Sequence, residues 1–142
     1  MRIADLQCHV LEAPLSEPFG WSFNQTSVRQ SCLVEVVAED GTSGWGECFG
    51  PAVLNAAIVD SFRSLIVGQD AFATERHWQT IYNTYRDQGQ KGLVVTALSG
   101  LDIALWDLKG RLWGQPIHRL MGGPVRQEVQ AYATGTYRRG GG

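Results

Sequence analysis

LVVTALSGLDIALWDLKGRLWGQPIHRLMGG, Leu93 to Gly123, is the stretch that decides the fold. Leu98, Leu101, Leu105, Leu108 and Leu112 recur at steps of 3, 4, 3 and 4, the spacing of one helical stripe. Val94, Ala97 and Ala104 widen it, and Val95 and Trp106 fall on a second apolar flank. Thr96, Gly100, Asp107 and Arg111 make the only clearly polar strip, so this helix is expected to be covered on two sides. Small residues at Ala97, Ser99 and Gly100 would let a neighbouring element approach closely. Gln115-Pro116 ends the run, and Ile117 to Met121 can add one further turn.

Asp102 projects near Leu98, Trp106 and Lys109, where an unpaired carboxylate is costly. It is either a catalytic or metal-binding acid or an acid that ties the helix to a nearby Arg or Lys. No second acid sits beside it at ligand spacing, which favours the tie. Asp107 and Arg111, four apart, read as an ordinary surface pair.

Upstream, two shorter helices are expected. One runs from Asn55, as N-cap, to Val67 before Gly68, and buries Ile58, Val59, Phe62, Leu65 and Ile66. The next begins near Thr74, with Trp78, Ile81, Tyr82 and Tyr85 as a core stripe. The connection Arg86 to Gly92 carries glycines but not the spacing of a phosphate loop.

Three strands precede the helices. Arg2 to Ala13 alternates Ala4, Leu6, Cys8 and Val10 with polar residues. Thr26 to Glu39 sets Cys32, Val34, Val36 and Ala38 on one face. Asp40-Gly41 predicts a hairpin turn into Ser43 to Cys48, where Gly44 and Gly46 permit close backbone approach. Pro14 and Pro18 predict a break in regular structure, leaving Leu15 to Gln25 as a loop. Its Phe19, Trp21 and Phe23 either fold back on the core or form a lid. Glu47 invites reading as a general base; the alternative is a carboxylate bonded to backbone or to an Arg.

The chain has 142 residues, which suits one domain, and 44% are hydrophobic, enough for a real core. Net charge is −2 with both signs mixed along the chain, so there is no basic face for nucleic acid and no polybasic run for a membrane. The N-terminal MRIADLQCHVLEAP is too short and polar for a signal peptide, and no apolar run approaches a membrane span; cytoplasm is the expected compartment. Cys8, Cys32 and Cys48 form no CxxC pair, and an odd count argues against a disulfide framework. Cys8 and Cys32 fall on the apolar sides of their strands and read as small hydrophobes, and Cys48, ending a strand beside a loop, is the one to weigh as a reactive thiol. His9, His77 and His118 have no acid at metal-ligand spacing and read as surface or packing residues.

The segment ALSGLDIALWDLKGRLWGQPIHRLMGG resembles the signature of the mandelate racemase and muconate-lactonising group of the enolase superfamily. The match is carried by Ala97, Asp102, Ala104 to Asp107, Lys109, Gly110, Pro116, Ile117, Leu120 and Gly122-Gly123. Asp40-Gly41 followed by GWGE resembles the second hairpin and third strand of that family's N-terminal domain, and Ala131-Tyr132-Ala133-Thr134 its first barrel strand. GWGECFGPAVLNAA, YRDQGQKG and YATGTYRR look most like members acting on sugar acids and their lactones.

The resemblance implies an α+β fold: a three-stranded antiparallel meander followed by a helical bundle, with the first strand of an otherwise absent (β/α) barrel. Residues 1–124 would be the capping domain, and 125–142 the first barrel strand and the start of a flexible glycine-rich loop. It implies that the Leu15–Gln25 segment and the Cys48-Phe49-Gly50-Pro51 loop close over substrate, so Phe19, Trp21, Ser22, Phe23, Phe49 and Tyr137 are the expected substrate-facing residues, with Thr134 bordering them. It implies Mg²⁺, three acidic ligands and a Lys or His base that takes the proton alpha to a carboxylate. Those groups belong to later barrel strands. No Lys follows Gly123, and no metal or catalytic residue can be assigned here. The expected partners are the remaining barrel polypeptide, a sugar acid or lactone, and further copies of the enzyme in a homo-oligomer. The alternative is a stand-alone, non-enzymatic binding or assembly domain.

Overall fold

The structure is a computed structural model that describes residues 1–21, 23–134 and 138–139, with the side chains of Trp21, Arg138 and Arg139 left aside. Strands β1 (Ile3–Trp21), β2 (Asn24–Ala38) and β3 (Ser43–Cys48) form an antiparallel meander. Helices α1 (Ala52–Ile66), α2 (Thr74–Tyr85), α3 (Leu93–Trp113) and the short α4 (Ile117–Leu120) follow. Strand β4 (Arg138–Arg139) returns to pair with Phe19 and Gly20, giving the sheet order β3-β2-β1-β4.

Alternation decides which sheet face is inside. Cys32, Val34, Val36 and Ala38 are buried on β2, while Leu33, Glu35 and Val37 stay half-buried on the far face. On β1 the expected phase is off by one at its start. A register shift between Ile3 and Asp5 places Ile3 rather than Ala4 inside with Leu6, and Ala4 is exposed; Val10, further along this strand, is exposed too. The β2–β3 turn is closed as its sequence predicts: Gly41 takes a left-handed φ of 85°, and Thr42 N–H donates to Asp40 Oδ1 at 2.9 Å.

The leucine stripe of α3 is the centre of the core: Leu98, Leu101, Leu105 and Leu108 are all within 2% of full burial. The helix is covered on two sides, by β3 and by α1 with α2. The strip expected to be polar is a docking face. Gly100 is buried against Cys48, and a Cβ on Gly46 would collide with the Gly100 carbonyl oxygen. A Cβ on Gly44 would collide with the Ala104 carbonyl, and one on Gly100 with Cys48 Sγ. Three glycines thus let helix and strand backbones touch. Ser99, expected to share that role, is exposed.

Helix α1 starts three residues before the expected cap. Pro51 is its N-cap, and Asn55 lies within the first turn, fully buried. In α2 the core residues are Thr74, His77 and Ile81. Of the expected stripe, Ile81 is fully buried and Tyr82 and Tyr85 pack half-buried against the core, while Trp78 is 37% exposed and stacks on Tyr82 at 4.8 Å. His77 Nε2 meets the Asp70 carbonyl at 2.7 Å, which satisfies a buried imidazole.

One expectation fails and another is left untested at the chain's extended segments. Leu15 to Gln25 is not a loop: β1 and β2 continue as a paired ribbon as far as Trp21 and Asn24. The prolines are absorbed by a register shift between Pro14 and Phe19, where five steps on β1 face two on β2. Residues 125–134, expected as a barrel strand, run exposed without a ladder partner among the described residues. A single extended segment has no hydrogen-bonded neighbour to define it as a strand.

Candidate functional site

Strand β3 stops at Cys48, opposite Cys32, but the β1–β2 ribbon continues past it to Asn24. At 3.3 Å per residue the ribbon overhangs β3 by roughly 25 Å. The corner where β3 ends and the ribbon goes on is a cleft of about 400 Å³, lined by Arg29, Gln30, Glu47, Cys48, Phe49 and Gly50. It continues into a second recess of about 600 Å³ that adds Leu11, Glu12, Ala13 and Ser31.

Each polar group in this corner is positioned by strand register. Ser31 Oγ–H donates to Glu47 Oε1 at 2.5 Å, from two residues on the same sheet face. Gln30 Nε2 donates to Glu12 Oε2 at 2.8 Å across the directly paired position. The Arg29 guanidinium lies over the Phe19 ring, 4.5 Å from its centroid. Arg29 makes no ion pair within 4 Å among the described residues.

The Phe49–Pro51 loop is held from below. Asn55 Nδ2 donates to the Phe49 carbonyl at 3.0 Å and to the Pro51 carbonyl at 3.1 Å, and Asn55 Oδ1 accepts from Thr96 Oγ1 at 2.9 Å. All the bonding capacity that burial would strand is used, and the loop is tied to α1 and α3 at once. Gly50, at φ 102°, allows the chain to turn there, and it leaves the Phe49 ring 86% exposed.

The structure separates the expected substrate-facing residues. Phe49 stands at the corner. Phe19 is half-buried under Arg29, further out on the ribbon, and Phe23 is 95% exposed at the tip. Trp21 is placed by its backbone pairing to Asn24. Its side chain, Ser22 and Tyr137 lie outside the described residues, as do Gly135 and the closing glycines expected to form a flexible loop. Thr134 is exposed in the extended segment. Sequence reasoning missed Arg29, Ser31 and Asn55. The first two were visible only as polar residues in a strand. Asn55 carried a misleading signal, because an Asn near a helix start suggests a cap.

Glu47 bonds to a hydroxyl, neither to backbone nor to an Arg, and no imidazole or ammonium accompanies it in the cleft. The corner can therefore hold and shield a polar ligand. The other acid singled out, Asp102, lies on the far side of the molecule between α2 and α3. Burial, then the nearby Glu75, push its carboxyl above the usual range, while Lys109 opposes the shift. The expected tie is not made: no ion pair joins Asp102 to a cation within 4 Å among the described residues, and Lys109 Nζ donates instead to Thr74 Oγ1 at 3.1 Å. Asp107 is more than a surface pair, since it also accepts the Trp45 N–H.

The cysteines lie side by side on the inner face of the sheet. Burial, with Cys32 adjacent, pushes the Cys8 and Cys48 thiols up to about 12, so Cys48 is not an activated nucleophile. His9 sits on the outer face, 2.9 Å from Glu35 and 5.1 Å centroid to centroid from Trp45. No group of three His, Cys, Asp or Glu among the described residues could hold a metal ion. Among the described residues, no helix is long and apolar enough to cross a membrane.

Residues 5–122 match the family described as mandelate racemase / muconate lactonizing enzyme, N-terminal domain. The chain is 49% identical over 139 residues to D-galactarolactone cycloisomerase of Agrobacterium fabrum, covering 98% of this chain and 37% of that protein. It is 37% identical over 108 residues to L-rhamnonate dehydratase of Saccharopolyspora erythraea, covering 76% and 28% respectively. Among solved structures, it superposes on 3,6-anhydro-D-galactonate cycloisomerase of Zobellia galactanivorans with a TM-score of 0.78 and 32% identity, covering 87% of this chain and 32% of that one. The chain thus spans about a third of the length of these relatives.

Proposed function

This chain belongs to the mandelate racemase / muconate lactonizing enzyme family through its N-terminal domain, and on that premise we propose that it is the capping and specificity portion of an enzyme acting on a sugar acid or sugar-acid lactone. The reaction would begin with removal of the proton alpha to the carboxylate and end in cycloisomerisation, dehydration or racemisation. The observation that carries this reading is the 49% identity to a sugar-lactone cycloisomerase along nearly the whole chain. The relatives named above are a cycloisomerase of a sugar-acid lactone, a dehydratase of a sugar acid and a cycloisomerase of an anhydro sugar acid, which supports the substrate class.

The corner at the end of β3 supports the capping role. Arg29 offers a guanidinium to an anionic or hydroxyl-rich ligand. Phe49, Phe19 and Phe23 would exclude water along the line of the overhang, and Trp21, Ser22 and Tyr137 are proposed to take part with them. Mg²⁺ would supply charge neutralisation at the carboxylate when bound. The described residues do not fit that ion, because they contain no cluster of ligands for it, so its site and the base are assigned to the barrel polypeptide that completes the enzyme. Assembly into a homo-oligomer is part of the same proposal.

The test is solvent deuterium exchange at the alpha carbon of a sugar-acid lactone. The chain, joined to or mixed with a family barrel, is expected to support Mg²⁺-dependent exchange, with either part alone inactive. Trp21→Ala and Phe49→Ala are expected to lower kcat/KM with thermal stability unchanged. Exchange by the 142-residue chain alone, or unaltered kinetics in both variants, would overturn the reading.

A further inference from the structure

On the helical side of the molecule, away from the corner at β3, α2 and α3 enclose a groove of about 580 Å³ lined by Thr74, Glu75, Trp78, Asp102 and Trp106. Its composition is unusual for a packing defect: two indoles, two carboxylates and one hydroxyl. Trp78 is 37% exposed, and Trp106 is half-buried one turn beyond Asp102. Each indole has a neighbour on its ring. Trp78 stacks on Tyr82 at 4.8 Å, and Trp106 carries the Lys109 ammonium 4.3 Å from its ring centroid.

The charges do not balance. Glu75 accepts from Gln79 Nε2 at 2.7 Å, a neutral partner. Asp102 is half-buried with neither a hydrogen bond nor an ion pair among the described residues. Lys109, the one ammonium within electrostatic reach of Asp102, is engaged with Thr74 Oγ1 and Trp106. Among the described residues, two carboxylates, Asp102 half-buried and Glu75 exposed, against one ammonium leave a net negative charge beside the aromatic walls. That combination attracts an organic cation, whose diffuse charge suits indole faces and whose apolar surface suits the groove. A small hydrated metal ion would lack ligands here.

We propose that this groove is a binding site for an organic cation with a guanidinium or alkylammonium head. The cation sits against Trp78 and Trp106, and Asp102 and Glu75 supply the counter-charge. The site is independent of the capping role, since it shares no residue with the corner at β3.

The test is a titration of the 142-residue chain followed through the indole N–H resonances of Trp78 and Trp106. Choline is compared with its neutral isostere 3,3-dimethylbutan-1-ol, and methylguanidinium with the blocked peptide acetyl-Gly-Arg-Gly-amide. Choline and methylguanidinium are expected to shift both resonances saturably, with the alcohol binding about tenfold more weakly. Asp102→Asn is expected to weaken cation binding about tenfold, and the exposed Glu75→Gln about threefold. Tighter binding of the peptide than of methylguanidinium identifies the natural ligand as a protein side chain; the reverse order identifies a free cation. Equal binding of choline and the alcohol, absence of saturable shifts, or unchanged affinity in both charge variants would overturn the proposal.

Discussion

The Asp107 carboxylate joins Trp45 to Arg111: its Oδ2 accepts the Trp45 backbone N–H at 2.9 Å and the Arg111 Nε–H at 2.7 Å. Trp45 lies on the edge strand of the sheet, so this N–H has no ladder partner on its outer side. A helix side chain takes the place of the missing strand. Asp107→Ala is expected to cost about 0.5–1.5 kcal/mol, because it removes a charge-assisted bond to a backbone donor that water only partly replaces. Arg111→Ala, which removes only the exposed half of the arrangement, is expected to cost less than about 0.5 kcal/mol. Urea unfolding midpoints with unchanged slopes check both.

The glycines between β3 and α3 give a second expectation. Gly46→Ala would drive a methyl into the Gly100 carbonyl, a backbone atom that cannot rotate away. The expected destabilisation is about 2–3 kcal/mol. Gly41→Asn, at a turn where nothing lies within 4 Å and φ is 85°, is expected to be tolerated within about 1 kcal/mol. Thermal unfolding of the two variants side by side distinguishes close approach from conformational freedom.

Asn55→Leu fills similar volume but leaves the Phe49 and Pro51 carbonyls and the Thr96 hydroxyl without their shared partner. Loss of about 2–4 kcal/mol is expected. Hydrogen exchange should quicken first in residues 49–55, ahead of the sheet, because the loop loses its tether before the core opens.

Asp102 predicts a pH dependence whose sign can be worked out. Its carboxyl is raised in the folded chain by burial and by Glu75. The folded state therefore binds this proton more tightly than the unfolded one. Its charge opposes folding at neutral pH, and that opposition is relieved as pH falls through the raised folded value to the ordinary aspartate value near 4. Asp102→Asn is expected to be more stable than the parent at pH 7, and the difference should close towards pH 3. Denaturation midpoints of both proteins across that range measure it. A gap that widens on acidification would contradict the assigned cause.

Much of this fold could be read in the residues because local signals and burial agreed. The leucine spacing of α3, the alternation of β2 and the Asp40-Gly41 turn each specify one conformation, and the structure adopts it. Gly44 and Gly46 announced the helix–strand contact by lacking side chains. The misreadings came where a tertiary contact overrode a local rule. Two prolines that would end a strand in isolation are accommodated in a register shift. An asparagine suited to a cap is recruited inward by two loop carbonyls. The candidate site was partly legible. The aromatics Phe19 and Phe23 stood out by composition and Phe49 through the family resemblance of its loop, whereas Arg29 and Ser31 acquire meaning only from the strand that ends beside them.

The ribbon formed by β1 and β2 beyond β3 is a cantilever whose root is anchored in the core and whose outer end meets only the two residues of β4. Removing one residue from each strand would retract that end by about 3.3 Å and turn its side chains over to the opposite face; removing two from each would retract it by about 7 Å and restore their orientation. Such trimming would leave Ile3, Leu6 and the buried face of β2 untouched. Reach and facing of the arm are therefore adjustable in discrete increments that leave the core in place and shift only the pairing of Phe19 and Gly20 with β4. Under the proposed capping role, the outer end of the ribbon is the place to re-engineer ligand choice.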